Sequence, residues 1–270
     1  MGTSASSNGP GAGVSLDPEW LDDIDIPGNL QVTSGKSDII PDKVLPLIAP
    51  KARFSNARRN IGEYMRSGSK DSLRRALGHY SKTGMGGARN LSNRMRTSAK
   101  VASNFVRVFR SLRDDSDFAL GKIISNLKER GASASELVNV IVDSVCPNGG
   151  SLDEIFPRDS GTAALSEFMD KNPDADICCL SDDQIWTFIG RFLGNEAFGR
   201  VQHDIGQSFE KMGISLADKI VRMNEMKDFL QYDIAAQLDK VRGSVSQTIN
   251  LETLFRDAIK NTFEVYEVEV

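Results

Sequence analysis

The nucleophile with the best prospects in this sequence is the α-amine of Gly2. Removal of Met1 before so small a residue would leave an unhindered primary amine at the head of a stretch dominated by Gly, Ser, Asn and Pro. Such a composition buries too little apolar surface to offset ordering entropy, so the tail is expected to be disordered and able to enter a partner's active site. An α-amine with a pKa of about 8 is roughly a tenth or more free base near neutral pH, against about 0.05% for a lysine at about 10.4. A modifying enzyme that needs an amine would therefore select Gly2 over the lysines. Met-Gly-x-x-x-Ser also fits the loose myristoylation pattern, which small residues meet often by chance.

The second feature with chemical potential is a block of charge. Between Lys51 and Arg113 sixteen Lys and Arg residues face only two acids, Glu63 and Asp71, inside a chain whose net charge is −4. Residues 88–113 read as one long helix. At 100° per residue Leu91, Met95, Ala102, Phe105, Val106 and Phe109 share one face, and Arg89, Arg96, Lys100, Arg107 and Arg110 share the opposite one. Cations so placed repel one another by a few tenths of a kcal/mol per neighbouring pair, roughly, unless an anion compensates. Three compensating partners are open: nucleic-acid phosphates, an acidic protein surface, or the chain's own acidic C-terminal part. Aromatics suited to base stacking are sparse in the block, namely Tyr64, Tyr80, Phe105 and Phe109, with the last two on the apolar face. A basic amphipathic helix also suits an anionic membrane surface, a weaker fit here.

Other constellations fail. Gly84, Gly86 and Gly87 precede the basic helix, but Arg89 stands where a dinucleotide loop needs its third glycine, and no Gly-Lys-Ser/Thr follows. A hinge that lets helices 70–80 and 88–113 fold back on each other suits these glycines better. The chain has only two histidines, His79 and His203, and lacks both Gly-x-Ser-x-Gly and His-Glu-x-x-His. Cys146, Cys178 and Cys179 have no zinc spacing; the adjacent pair, in the apolar run 177–180, reads as buried thiols. The paired acids Asp114-Asp115 and Asp182-Asp183 read as helix starts. No catalytic residue, metal site or cofactor site is expected, and the protein is not read as an enzyme.

The elements that must position these residues are helices. Ser133-x-x-Glu136, Ser151-x-x-Glu154 and Ser181-x-x-Gln184 fit the capping box and mark three helix starts. The pattern predicts helices near 55–67, 70–80, 88–113, 116–130, 134–145, 162–171, 182–211, 215–242 and 250–262. Phe263 to Val270 alternates in the β manner, as a short edge strand or a frayed end, with Phe263 and Val265 on one side. The expected fold class is all-α: a multi-helix bundle with a disordered N-terminal tail. Residues 1–50 form that tail, with an acidic, hydrophobic-toothed segment from Asp17 to Ile26; 51–113 form a basic helical region and 114–270 an acidic helical domain. No run of about 18 apolar residues exists and no secretory signal opens the chain, so a cytoplasmic protein is expected.

Several short stretches resemble the QatB family, the small component of the bacterial four-protein Qat anti-phage system. They are Met1-Gly2-Thr3-Ser4, Asn8-Gly9-Pro10-Gly11, Leu16-Asp17-Pro18-Glu19-Trp20-Leu21, Leu73 to Tyr80, Gly84 to Arg89, and Arg94-Met95. The resemblance lies in roughly the first 110 residues. It implies an anti-phage defence component working beside an ATPase, an enzyme similar to the QueC family of deazaguanine synthases, and a TatD-like nuclease. Enzymes of the QueC type activate a deazapurine carboxylate with ATP and pass it to an amine, which gives the Gly2 amine a purpose as acceptor. The alternative is a stand-alone nucleic-acid-binding protein that uses the basic helices.

Overall fold

The protein is described by a computed structural model at residues 52–146, 149, 151–206, 213–243 and 250–270. Among these residues the chain forms ten α-helices and no strand. They are α1 (Ser55–Ser67), α2 (Lys70–His79), α3 (Ala88–Arg94), α4 (Arg96–Arg113), α5 (Phe118–Glu129), α6 (Ala134–Val145), α7 (Leu152–Lys171), α8 (Asp182–Ile205), α9 (Leu216–Gly243) and α10 (Leu251–Glu267). All belong to one compact unit spanning 49–270. The acidic segment 17–26 lies outside the described residues.

Helix α8 is the axis. It buries residues all round, from Ile185 through Phe188, Phe192 and Val201 to Ile205, because α4, α7 and α9 pack on different sides of it. Where α4 crosses, Phe105 meets Phe188 edge-on at a centroid distance of 4.8 Å and Phe192 at 5.3 Å, and Phe109 meets Phe188 at 5.2 Å. Such edge-to-face pairs add about 0.5–1.5 kcal/mol each beyond the area they bury. Against α9 the approach is closer still: a Cβ on Gly194 would stand 2.5 Å from the Gln231 Cα, so only glycine allows this crossing.

Helix α10 closes the other side against α2, α3, α4 and α9. Its buried residues, Leu254, Phe255, Ala258, Ile259, Thr262, Phe263 and Tyr266, recur every three or four positions. The β-like alternation at the C-terminus is thus overridden: Phe263 is buried, Val265 is 53% exposed, and the helix continues to Glu267. A strand there would have left Tyr266 and Phe263 on opposite faces, whereas the helical turn puts both into the core.

Three tyrosines tie helices to distant residues, Tyr80 and Tyr266 to carboxylates and Tyr64 to a backbone carbonyl. Tyr64 donates to the Arg222 carbonyl at 2.9 Å, Tyr80 to Asp204 Oδ2 at 2.8 Å, and Tyr266 to Asp233 Oδ2 at 2.7 Å. Burial, with the neighbouring carboxylate second, pushes the Tyr80 phenol well above its ordinary range, so it stays a donor.

The serine starts hold. Ser133 and Ser181 complete capping boxes with Glu136 and Gln184, and the Ser151 amide donates to Glu154. From Ser151 the helix runs on through Pro157 and Gly161, ten residues ahead of the expected start at 162, and the added turns bury Pro157, Ser160 and Gly161. Asp114 and Asp115 are not a helix start: Asp114 ends α4, Asp115 has φ 51°, and the cap of α5 is Asp117, whose carboxylate accepts from Leu120. Nor are the adjacent cysteines both buried. Cys178 is half-buried and Cys179 exposed, since the segment 172–181 is a surface connection between α7 and α8.

Candidate functional site

The long basic helix is two helices. Met95, buried and with φ −90° and ψ 16°, breaks the run between α3 and α4. Ahead of the break, residues 80–85 form one π-helical turn that ends at Gly86 (φ 76°) and Gly87 (φ 103°). Left-handed backbone favours glycine at both positions. Gly84 serves differently, as a Cβ there would lie 2.4 Å from the Phe54 ring. This is the geometry at the three glycines read as a hinge.

On α4 the two faces separate as the sequence pattern requires. Ala102, Phe105, Val106 and Phe109 are fully buried, while Arg96, Lys100 and Arg107 are exposed. Arg89 on α3 is exposed as well. Among the described residues none of these four cations has an ion pair or side-chain hydrogen bond. Arg110 differs: its Nε lies 3.5 Å from Asp182 Oδ1, and Arg113 Nη1 lies 3.0 Å from the same oxygen. The Arg113 hydrogen bond holds the Asp182 carboxyl below the usual carboxylate range. Among the described residues own-chain neutralisation therefore reaches only one end of α4.

Beside Arg96 and Lys100 runs a groove of about 690 Å³, walled also by Asn104, Cys146, Ser151 and Glu252. Asn104 Nδ2 donates to the Val145 carbonyl at 3.1 Å and pins the end of α6 to α4. Burial pushes the Cys146 thiol up to about 11, so it is no nucleophile at neutral pH.

A second cavity, of about 400 Å³, is lined by Tyr80, Arg94, Phe156, Arg200, His203 and Asp204 among others. Arg200 lies over the Phe156 ring at 5.6 Å, and its Nε stands 3.7 Å from Glu196 Oε2. Glu196 is fully buried and accepts from the hydroxyls of Ser98 and Ser160. A buried carboxylate needs such partners, and here they fix the guanidinium that reaches the cavity. Sequence reading missed this group. Phe156, Arg200 and His203 sit in the acidic part of the chain, and no spacing links them to Arg94. Tyr64, Tyr80, Phe105 and Phe109 are all buried, so none of the four offers a face to a base.

Among the described residues no group of three or more His, Cys, Asp or Glu could hold a metal ion, and no helix is long and apolar enough to cross a membrane. Gly2 lies outside the described residues.

A family model described as Qat anti-phage system associated protein QatB matches residues 86–266, well over half of the chain. The chain belongs to the QatB family. It is accordingly a component of anti-phage defence, and membership implies other Qat proteins as partners. The QatB match takes in α4, α8, α9 and most of α10, where no short motif could be read; of the stretches that carry the sequence resemblance, only Gly86 to Arg89 and Arg94-Met95 fall inside it. No curated protein and no solved structure matches the chain significantly.

Proposed function

We propose that this QatB-family chain is a non-enzymatic subunit that docks through the cationic face of α3 and α4 on an anionic partner surface and offers its Gly2 amine to a QueC-like partner enzyme. The observation that carries the docking half is the set of four cations, Arg89, Arg96, Lys100 and Arg107, without a partner among the described residues. Three of them, Arg96, Lys100 and Arg107, share the exposed face of α4, where like charges repel unless an anion comes to them. The absence of a role in catalysis is supported by the state of the polar groups: Asp204 is engaged by Tyr80, Glu196 by two serines, and Cys146 is protonated.

The modification half rests on the unhindered α-amine and on the partners that the family resemblance implies, an ATPase, a QueC-like enzyme and a TatD-like nuclease. The amine lone pair attacks the activated carboxylate carbon of a deazaguanine-type acid. An N–C bond forms, the activating group leaves with its electron pair, and the nitrogen loses a proton to give an amide.

Two measurements test the two halves. Intact mass of the chain co-expressed with and without the QueC-like protein should differ by one acyl group located on the N-terminal peptide; an unchanged peptide in both sinks the acceptor reading. Arg96→Glu, Lys100→Glu and Arg107→Glu combined should release the Qat partners in a pull-down, and full retention would remove the docking reading.

A further inference from the structure

The 400 Å³ cavity and the groove beside Arg96 and Lys100 share Ser151 in their walls, so the two depressions adjoin. What the cavity adds to the groove is an aromatic ring. Phe156 is half-buried, with the His203 ring edge-on at 5.4 Å and the Arg200 guanidinium at 5.6 Å from its centroid. Arg94 lines the same space, and Arg58 reaches its rim through a hydrogen bond to the Asp204 carbonyl at 3.4 Å. Three guanidinium groups thus stand against two carboxylates, Asp204 and, behind Arg200, Glu196. The excess is a single positive charge. It matches one phosphodiester better than a phosphate dianion.

An acidic protein surface meets this place only where an aromatic side chain happens to stand at the right distance from a carboxylate. Single-stranded nucleic acid brings both, a base and a monoanionic phosphate at each repeat, and stacking on aromatic side chains beside a cationic track is how such strands are held. A duplex keeps its base faces covered. We infer that the cavity seats one unpaired nucleotide of a single-stranded nucleic acid, its base against Phe156 and its phosphate on Arg94 and Arg200, with flanking phosphates along Arg96 and Lys100. The inference rests on the docking reading above and names the partner of that face.

Fluorescence anisotropy of the full chain with labelled single strands of about 12 nucleotides, DNA and RNA, and with the matching duplex tests it. Single strands should bind about tenfold tighter than duplex at about 50 mM salt. Phe156→Ala should weaken single-strand binding about fivefold or more while Phe156→Trp, which keeps a ring, retains it. Lys100→Ala should lower the slope of log affinity against log salt by about 0.7. Equal affinity for strand and duplex overturns the inference, as does an unchanged affinity in a folded Phe156→Ala chain, or binding of a free nucleoside monophosphate without binding of any strand. If no nucleic acid is retained while the triple charge reversal still releases a Qat partner, the nucleotide seat falls and the docking face stands. If the reversal releases neither a Qat partner nor a strand, the docking face falls as well.

Discussion

The two ends of α4 are built from the same residue types and are treated oppositely by the rest of the chain. At the C-terminal end Arg110 and Arg113 converge on Asp182, the first residue of α8. Over the preceding turns Arg96, Lys100 and Arg107 make no ion pair among the described residues, although Glu154 and Glu252 line the groove beside the first two. Both ends hang on one apolar face, so the difference does not come from how α4 is held. It comes from where α8 begins: the start of a helix carries acids that suit its own dipole, and those acids are then at hand for whatever cation crosses there. Being acidic on average does not let a domain neutralise a basic one, because ion pairing falls off within a few ångströms.

The largest effect should come from the face both ends share. Phe105→Ala removes a fully buried ring packed between Phe188 and Phe192 and should cost about 3–5 kcal/mol in urea unfolding. A loss below about 1 kcal/mol would show that α4 is held by something other than this face.

Next come the ends themselves. Each glutamate in the Arg96, Lys100 and Arg107 triple variant should leave stability within about 0.5 kcal/mol, as for ordinary surface changes, although partner retention is lost. Arg113→Ala should do the converse, lowering the melting temperature slightly with partner retention intact. Should the two variants behave alike, the distinction between the ends is empty.

The pH dependence gives a smaller test. The Asp182 carboxyl is held low by Arg113, so its contribution is present above the ordinary carboxylate pKa of about 3.9 and is lost as pH falls through the depressed folded value. Asp182 is 48% exposed, and after screening the contribution should be well under about 1 kcal/mol. Asp182→Asn should therefore flatten the stability profile below about pH 4 and change little at neutral pH. Smallest of all is thiol labelling: Cys179 should react first with an aromatic disulfide, and Cys146, in the groove wall, only on unfolding.

Much of α4 was legible in the sequence because a helix projects its neighbours at fixed angles; Phe105 and Phe109 inward with Lys100 and Arg107 outward follow from spacing alone. The break at Met95 was not, since no proline or glycine marks it and the buried Met95 side chain fits either form. The helical C-terminus was misread because its alternating run was outweighed by burial of Phe263 and Tyr266, and the first turns of α7 were left out of the expected helix although Ser151-x-x-Glu154 marks its start. Sequence reading found the cations of the groove but not the ring beside them, because Phe156 and Arg94 are brought together by the packing of α7 and α8 on the N-terminal helices.

The sequence by itself determined the all-helical class, the serine-marked starts, the two faces of α4 and the excess of positive charge between Lys51 and Arg113, all properties of local spacing and of composition. Which of those charges would be neutralised at home was decided only by the tertiary structure. Asp182, nearly seventy residues beyond Arg113, is placed by the crossing of α8, and nothing in the spacing of one helix says which residue of another will face it. The same crossing, by burying Glu196 under Ser98 and Ser160, sets Arg200 at the cavity beside Phe156.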